Sequence, residues 1–220
     1  MNTLTTAPLA SLLDRLFAEA EHLSPRQSPA AADLFADRER LLRSKTEYQY
    51  FYGRLKDFPL AVSRETGGLL YMLARGCRAR NVVEFGTSFG LSTLYLAAAL
   101  RDNGGGRLIT SEFEPSKVAR ARENLRAGGL GDLVEFREGD ALQTLGRDLP
   151  DSVDLLLLDG AKALYADILD RVESRLRPGA FIVADDADHC PEYVERVRSS
   201  AAGYLSVPCG EDVELSMRLG

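Results

Sequence analysis

Near residue 80 the spacing of apolar positions changes, and the change divides the chain in two. Before it, Leu9, Leu12, Leu13, Leu16, Phe17 and Ala20 recur at helical spacing, which predicts a helix over 8–23 with Pro8 in its first turn. Ser24-Pro25 and Ser28-Pro29 break it. A polar helix is expected over 30–46, then the aromatic stretch Tyr48, Tyr50, Phe51, Tyr52, then Gly53 and Phe58-Pro59, and a further helix over 63–76. These early helices either pack against a second copy, giving a homodimer, or form a lid over a substrate site. From residue 81, short apolar runs alternate with helical ones, the mark of a parallel α/β sheet. Strands are predicted at 81–85, 107–113, 133–137, 153–158 and 180–184. Helices are predicted at 90–101, from Pro115 to Gly128-Gly129, briefly after Gly139-Asp140, at 163–176 and at 191–201. The run 153–158 is almost wholly apolar, as suits a strand buried on both faces. Strand-like pieces at 204–208 and 213–219 flank Gly210-Glu211-Asp212, and so short a joint requires an antiparallel pair.

The stretch from Val82 to Thr93 reads as a strand, a glycine turn and the start of a helix. Gly86 and Gly90 permit positive φ and leave no Cβ between backbone and ligand. The helix that follows points its free N–H groups at the same spot. Gly-x-x-x-Gly is not the Gly-x-Gly-x-x-Gly dinucleotide fingerprint. Glu84, two residues before the first glycine, repels a pyrophosphate and attracts a cation. The sulfonium and ammonium of S-adenosylmethionine suit that charge better than NAD does. A glycine turn after a strand is often only a turn, and that is the lesser of the two readings here.

Acidic residues recur where strands end, which is where α/β sheets bind ligands. Glu112, at the end of the second strand, can accept both hydroxyls of a ribose. Asp140, after the third, can meet an adenine amino group or simply cap its helix. Asp159 ends the fourth strand, and Asp185 and Asp186 end the fifth. Neighbouring strands lie ~4.8 Å apart, so these carboxylates converge and repel. Something cationic belongs between them. Oxygen ligands favour a hard divalent ion such as Mg2+. Lys162, three residues after Asp159, can instead neutralise the cluster as a salt bridge. His189 reads as loop or pocket rim; His22 and the three cysteines receive no role.

With 220 residues, 45% of them hydrophobic, the chain fits one catalytic domain over 61–220 and an appended helical segment over 1–60. A net charge of -6 argues against nucleic acid as a partner. The basic set Lys117, Arg120, Arg122 and Arg126 reads as a solvated helix face. Cys77, Cys190 and Cys209 form no CxxC pair, which suits a reducing cytoplasm. Neither a secretory pattern nor a membrane span is expected.

Residues 60–220 resemble class I S-adenosylmethionine-dependent methyltransferases, and more narrowly the cation-dependent O-methyltransferases of the catechol and caffeoyl-CoA type. The likeness rests on Glu84-Phe85-Gly86-Thr87-Ser88-Phe89-Gly90, on Thr110-Ser111-Glu112, on Glu138-Gly139-Asp140-Ala141 and on Ala184-Asp185-Asp186. The most specific piece is Asp159-x-x-Lys162-x-x-Tyr165. The resemblance implies a Rossmann-like fold: a mostly parallel seven-stranded sheet in the order 3-2-1-4-5-7-6, strand seven antiparallel, flanked by helices, with extra N-terminal helices. It implies a cofactor, S-adenosylmethionine, held by Glu84, Gly86, Thr87, Ser88, Gly90 and Ser92 around the turn. Glu112 would hold the ribose, Asp140 and Ala141 the adenine, and Asp159 would stand beside them. It also implies Mg2+ on Asp159, Asp185 and Asp186, with Lys162 as base and Asp159 as a second catalytic residue. The implied reaction moves a methyl group to a hydroxyl of a small catechol or other vicinal diol. Where the family has Asp-Asn after strand five, this chain has Asp185-Asp186, and it has no tryptophan to wall a flat substrate. Three rival readings stand beside this one. The first is a metal-independent N- or O-methyltransferase with Lys162 bridging the aspartates. The second is an NAD-dependent dehydrogenase, against which the missing third glycine and Glu84 count. The third is a non-catalytic cofactor-binding protein that dimerises through its first helices.

Overall fold

The alternation after residue 80 builds one sheet of seven strands: β1 (Asn81–Phe85), β2 (Arg107–Glu112), β3 (Val134–Glu138), β4 (Val153–Leu158), β5 (Leu176–Ala184), β6 (Tyr204–Cys209) and β7 (Val213–Arg218). Their order is β3-β2-β1-β4-β5-β7-β6, the order that the resemblance implies. β1 to β5 pair in parallel, and β7 runs antiparallel to both β5 and β6. This computed structural model describes residues 2–23, 25, 28, 31–199, 201–210 and 212–220. Parts of the expected breaks at 24–29, the start of the helix expected at 30, Ser200 and Glu211 lie outside the described residues.

All six residues of β4 are buried, as its apolar run predicts. Period-two alternation sends Leu155 and Leu157 to one core and Leu156 and Leu158 to the other. The exception within the run, Asp154, is satisfied on both oxygens: Oδ2 accepts from the Arg80 and Asn81 N–H groups at 2.7 and 2.9 Å, and Oδ1 from Arg177 Nε at 2.6 Å. It ties β4 to the starts of its two neighbours.

The helices are α1 (Leu9–His22), α2 (Ala32–Ala36), α3 (Arg38–Leu42), α4 (Tyr48–Arg54), α5 (Arg64–Gly76), α6 (Leu91–Asp102), α7 (Pro115–Ala127), α8 (Ala141–Thr144), α9 (Tyr165–Val172) and α10 (Pro191–Arg198). α1, α5, α6 and α7 contribute to the core on one face of the sheet; α8, α9 and α10 contribute to the other. Residues 91–100 of α6 are all buried, because α1 and α5 cover the side away from the strands. A separate small cluster, Leu34, Leu41, Leu42, Phe51 and Leu55, binds α2, α3 and α4 to one another. No helix among the described residues is long and apolar enough to cross a membrane.

Several boundaries differ from expectation by more than one residue. The helix expected over 30–46 is two five-residue pieces parted at Asp37. The helix expected over 163–176 ends at Val172, after a 3-10 turn at Lys162–Leu164, and β5 begins at Leu176 and runs through Pro178-Gly179. A register shift against β4, between Val153 and Leu155, absorbs the proline and glycine. The last helix stops at Arg198, three residues early.

Leu157→Ala removes a fully buried side chain from the central strand. It should cost about 2–5 kcal/mol, read as a lower urea midpoint at unchanged slope.

Candidate active site

The carboxyl ends of β1, β2 and β4 leave a crevice of about 60 Å3, and its floor is the glycine turn. Gly86 adopts φ +100°, and a Cβ there would stand 2.3 Å from the carbonyl oxygen of Asp159. Only glycine lets β1 and β4 approach this closely. Ser88 also lies in the left-handed region, at φ +47°. Its backbone N–H donates to Glu112 Oε2 at 3.0 Å, and the Glu114 N–H donates to Oε1 at 3.0 Å, so the carboxylate is held across the crevice. The Ser88 hydroxyl accepts from the Leu60 N–H at 3.1 Å and from Lys117 Nζ at 3.3 Å.

Lys117 does not belong to a solvated face. It is 3% exposed and lines the crevice, unlike the arginines that share its helix. Burial lowers its pKa against the pull of Glu112 and Glu114. Burial likewise raises the pKa of Glu112 against the pull of Lys117. Asp140 lines the crevice and also caps α8, where its Oδ1 accepts from the Leu142 N–H at 2.9 Å. The two readings of Asp140 are therefore compatible.

Of the residues expected around the cofactor, Gly86, Ser88, Glu112, Asp140, Ala141 and Asp159 line the crevice, whereas Glu84, Thr87, Gly90 and Ser92 do not. Glu84 is fully buried beneath the turn, accepting from Ser92 Oγ and Thr93 Oγ1 at 2.6 Å each. Burial raises its carboxyl to about 7, against the pull of these hydroxyls and of Thr110. Thr87 bonds the Thr110 hydroxyl at 2.5 Å in the same buried layer.

At the ends of β4 and β5 the acids do converge. Leu158 pairs with Ala184, so Asp159 and Asp185 follow side by side. Asp186 adopts φ +51°, a left-handed conformation that Asp and Asn tolerate best among non-glycine residues. Lys162 Nζ lies 3.1 Å from Asp159 Oδ1 and 3.1 Å from Asp186 Oδ2, and donates to the Tyr165 hydroxyl at 2.9 Å. Tyr165 in turn donates to the Asp185 carbonyl at 2.8 Å. Burial opposes the charge on Lys162, yet Tyr165, Asp159 and Asp186 together hold its pKa well above the ordinary lysine value. The amine is an ammonium here. Burial raises the carboxyls of Asp159 and Asp185; Lys162 lowers that of Asp186.

The all-oxygen donor set suits a hard divalent cation, and the Asp185 carboxylate has no ion pair among the described residues. As the side chains stand, however, no three acidic, histidine or cysteine groups among the described residues close on one point. The Lys162 ammonium sits between two of them. His189 sits in the short turn Ala187–His189 and does not line the crevice; its Nε2 lies 3.4 Å from Arg38 Nη1.

Beside the acid cluster opens a larger cavity of about 290 Å3, walled by Phe35, Leu42, Phe51 and Leu55 from the N-terminal helices and by Lys162, Asp185 and Asp186 from the sheet. Tyr48, Tyr52 and Leu60 roof the crevice. The Tyr52 hydroxyl is buried with no hydrogen bond among the described residues. Burial, first, pushes its pKa up to about 12. Aromatic spacing alone could not say whether these rings faced a core, a partner or a pocket.

This fold, with acids gathered at the strand ends beside a glycine turn, defines a Rossmann-like methyltransferase. The methyltransferase domain family profile matches residues 83–187. The chain is 36% identical over 130 residues to a catechol O-methyltransferase of Niastella koreensis and 36% over 127 residues to one of Mycobacterium tuberculosis, each match covering 58% of this chain. Those matches span 58% and 57% of the relatives' own lengths. A Mycolicibacterium smegmatis protein named among the O-methyltransferases is 32% identical over 151 residues, covering 64% of this chain and 71% of its own. Among solved structures, a Geobacter sulfurreducens methyltransferase superposes with a TM-score of 0.65 at 28% identity, covering 94% of this chain and 96% of its own. The O-methyltransferase TomG of Streptomyces achromogenes, solved in complex with SAM, gives 0.64 at 26%, covering 92% and 99%. The chain belongs to the O-methyltransferase family.

Glu84 generates a pH prediction for the ligand-free protein. Its folded pKa of about 7 lies above the ordinary 4.5, so its contribution to stability is full below about pH 4.5 and is lost as pH rises through about 7. Glu84→Gln removes that loss. Between pH 5 and 8 the stability difference should move in favour of the variant by up to about 3 kcal/mol, measured by urea unfolding.

Proposed function

We propose that the protein transfers the methyl group of S-adenosylmethionine to a hydroxyl oxygen of a small aromatic vicinal diol, a catechol-like acceptor. One observation carries this reading: the crevice and the acid-walled cavity share Asp159 and Gly160, so two ligands can meet at the end of β4. The crevice takes the cofactor, with Glu112 on the ribose, Asp140 and Ala141 at the adenine, and the glycine turn under the methionine. Glu84 lies in the buried layer beneath the floor, where the Ser92 and Thr93 hydroxyls fasten it. The cavity takes the acceptor between its apolar wall and the acids. α2, α3 and α4 act as its roof, which favours the lid among the two uses open to residues 1–60.

Asp159, Asp185 and Asp186 would hold a divalent ion, Mg2+ or similar. When bound, such an ion lowers the pKa of a hydroxyl beside it as a Lewis acid. Lys162 takes the acceptor's proton in the state where Asp159 and Asp186 are neutralised by another cation. While it pairs with both, it stays protonated and its work is to neutralise them. That pairing favours a second reading: metal-independent methyl transfer, with Lys162 as a fixed cation. In either case the acceptor oxygen is held in line with the methyl carbon, and proximity supplies much of the rate.

The test is turnover of S-adenosylmethionine with a catechol panel, in Mg2+ and in EDTA, beside calorimetry with Mg2+. Loss of turnover in EDTA, restored by Mg2+, is the expected result. Full turnover in EDTA selects the second reading, and no transfer to any oxygen acceptor rejects both. Asp159→Ala should lower kcat by about 100-fold or more, because it removes the group common to both cavities.

A further inference from the structure

Among the buried side-chain polar atoms that lack a hydrogen bond among the described residues, only the Tyr52 hydroxyl belongs to a residue that lines the site. Tyr52, Leu60, Asp159 and Gly160 are the residues common to the crevice and the cavity. They form the partition that a methyl group must cross. Leu60 and Gly160 offer no polar side chain, and Asp159 is paired with Lys162. Tyr52 is therefore the one member of the partition with a proton to donate. Its ring is set edge-on against Phe51, with centroids 5.0 Å apart and planes at 81°, and Phe51 is fixed in the core of the N-terminal helices. After burial, the groups that act on it are the ammonium and the backbone N–H of Lys162, then Asp159 and Asp186. An oxygen bound at the partition would thus meet cation and carboxylates on one side and a phenol on the other.

We propose that the Tyr52 hydroxyl donates a hydrogen bond to the acceptor oxygen at the point where the methyl group crosses, and so selects which of two neighbouring hydroxyls is methylated. The inference rests on the O-methyltransferase reading above. In the transfer, the acceptor's O–H bond breaks and its proton goes to the base. The C–O bond forms with the oxygen's electron pair, and the C–S bond breaks with its pair left on sulfur. Tyr52 ends the step with its own proton in place. It is a specificity-determining residue that orients the nucleophile by a short, stiff side chain. A ring with two torsions spends little entropy in doing so. Because the hydroxyl donates to no acceptor among the described residues, its proton is available to a bound oxygen.

The test uses the full chain with S-adenosylmethionine, Mg2+ and 4-nitrocatechol, and separates the two monomethyl products by chromatography. Tyr52→Phe keeps the ring and its contact with Phe51. The expected result is a product ratio shifted at least fivefold, kcat/KM for the catechol lowered about 10-fold, cofactor Kd within twofold, and a melting temperature equal or higher. A ratio and kcat/KM within twofold of the parent overturn the proposal. So does a lowered melting temperature, since the hydroxyl would then have a structural partner. Leu60→Ala opens the same partition without touching a polar group; an equal shift in ratio from it assigns the selectivity to shape and also overturns the hydrogen bond. A parent enzyme that methylates no catechol oxygen fails at the earlier step, and overturns the O-methyltransferase reading itself.

Discussion

Two hydrogen-bonded parallel strands end in carboxylates, and a single buried ammonium lies between two of them. The Leu158–Ala184 register leaves Asp159 and Asp185 no freedom to separate. The left-handed turn at Asp186 brings a third acid back toward the same place. Lys162, 5% exposed, touches Asp159 and Asp186 and is itself braced by Tyr165. Charges so far from water are tolerable only because they are paired. The arrangement also has a bias: three carboxylates face one ammonium, so the pocket favours any further positive charge, whether a divalent ion or a sulfonium.

That bias is useful only because the backbone delivers it to the right place. β1 and β4 are parallel neighbours in the sheet but not in sequence, and a crevice opens between them, where the strand order reverses. Close approach keeps the crevice rigid. Gly86 sits against the Asp159 carbonyl, and a Cβ on Gly160 would stand 2.5 Å from the Phe85 ring. The two strand tips are locked by the absence of side chains. Below them, Glu84 is fastened by the Ser92 and Thr93 hydroxyls of α6, so helix and strand meet through a polar plug inside an apolar core. The residue that sequence reasoning turned toward the ligand is in fact the one that joins floor to helix.

Legibility in the sequence followed the range of the forces involved. β4 could be read to the residue because a strand buried on both faces leaves an apolar run with sharp ends. The acids at the strand tips were legible because strand ends follow from the same runs. The start of β5 was not: Pro178-Gly179 looks like a stop, and only pairing with β4, through a register shift, carries the strand past it. Lys117 was misread for a similar reason. On its helix it sits among arginines and glutamate, and nothing local says that Glu112 and Ser88 close over it. The division of α2 from α3, and the inward face of the Tyr48–Tyr52 stretch, likewise depend on what lies opposite.

The roof and the floor are joined at one hydroxyl. Ser88 accepts from the Leu60 N–H above and from the Lys117 ammonium below, and its Oγ is placed to do both by a backbone conformation that side chains seldom adopt. A crevice of about 60 Å3 is far smaller than the ~300 Å3 or more of a typical small-molecule pocket. What narrows it is the cover of Tyr48, Tyr52 and Leu60 over the strand ends. The Leu60 bond ties this roof to the floor, and the Lys117 bond ties the floor to α7. The short N-terminal helices, held by a small core of their own, thus supply part of the wall of both cavities at the strand ends.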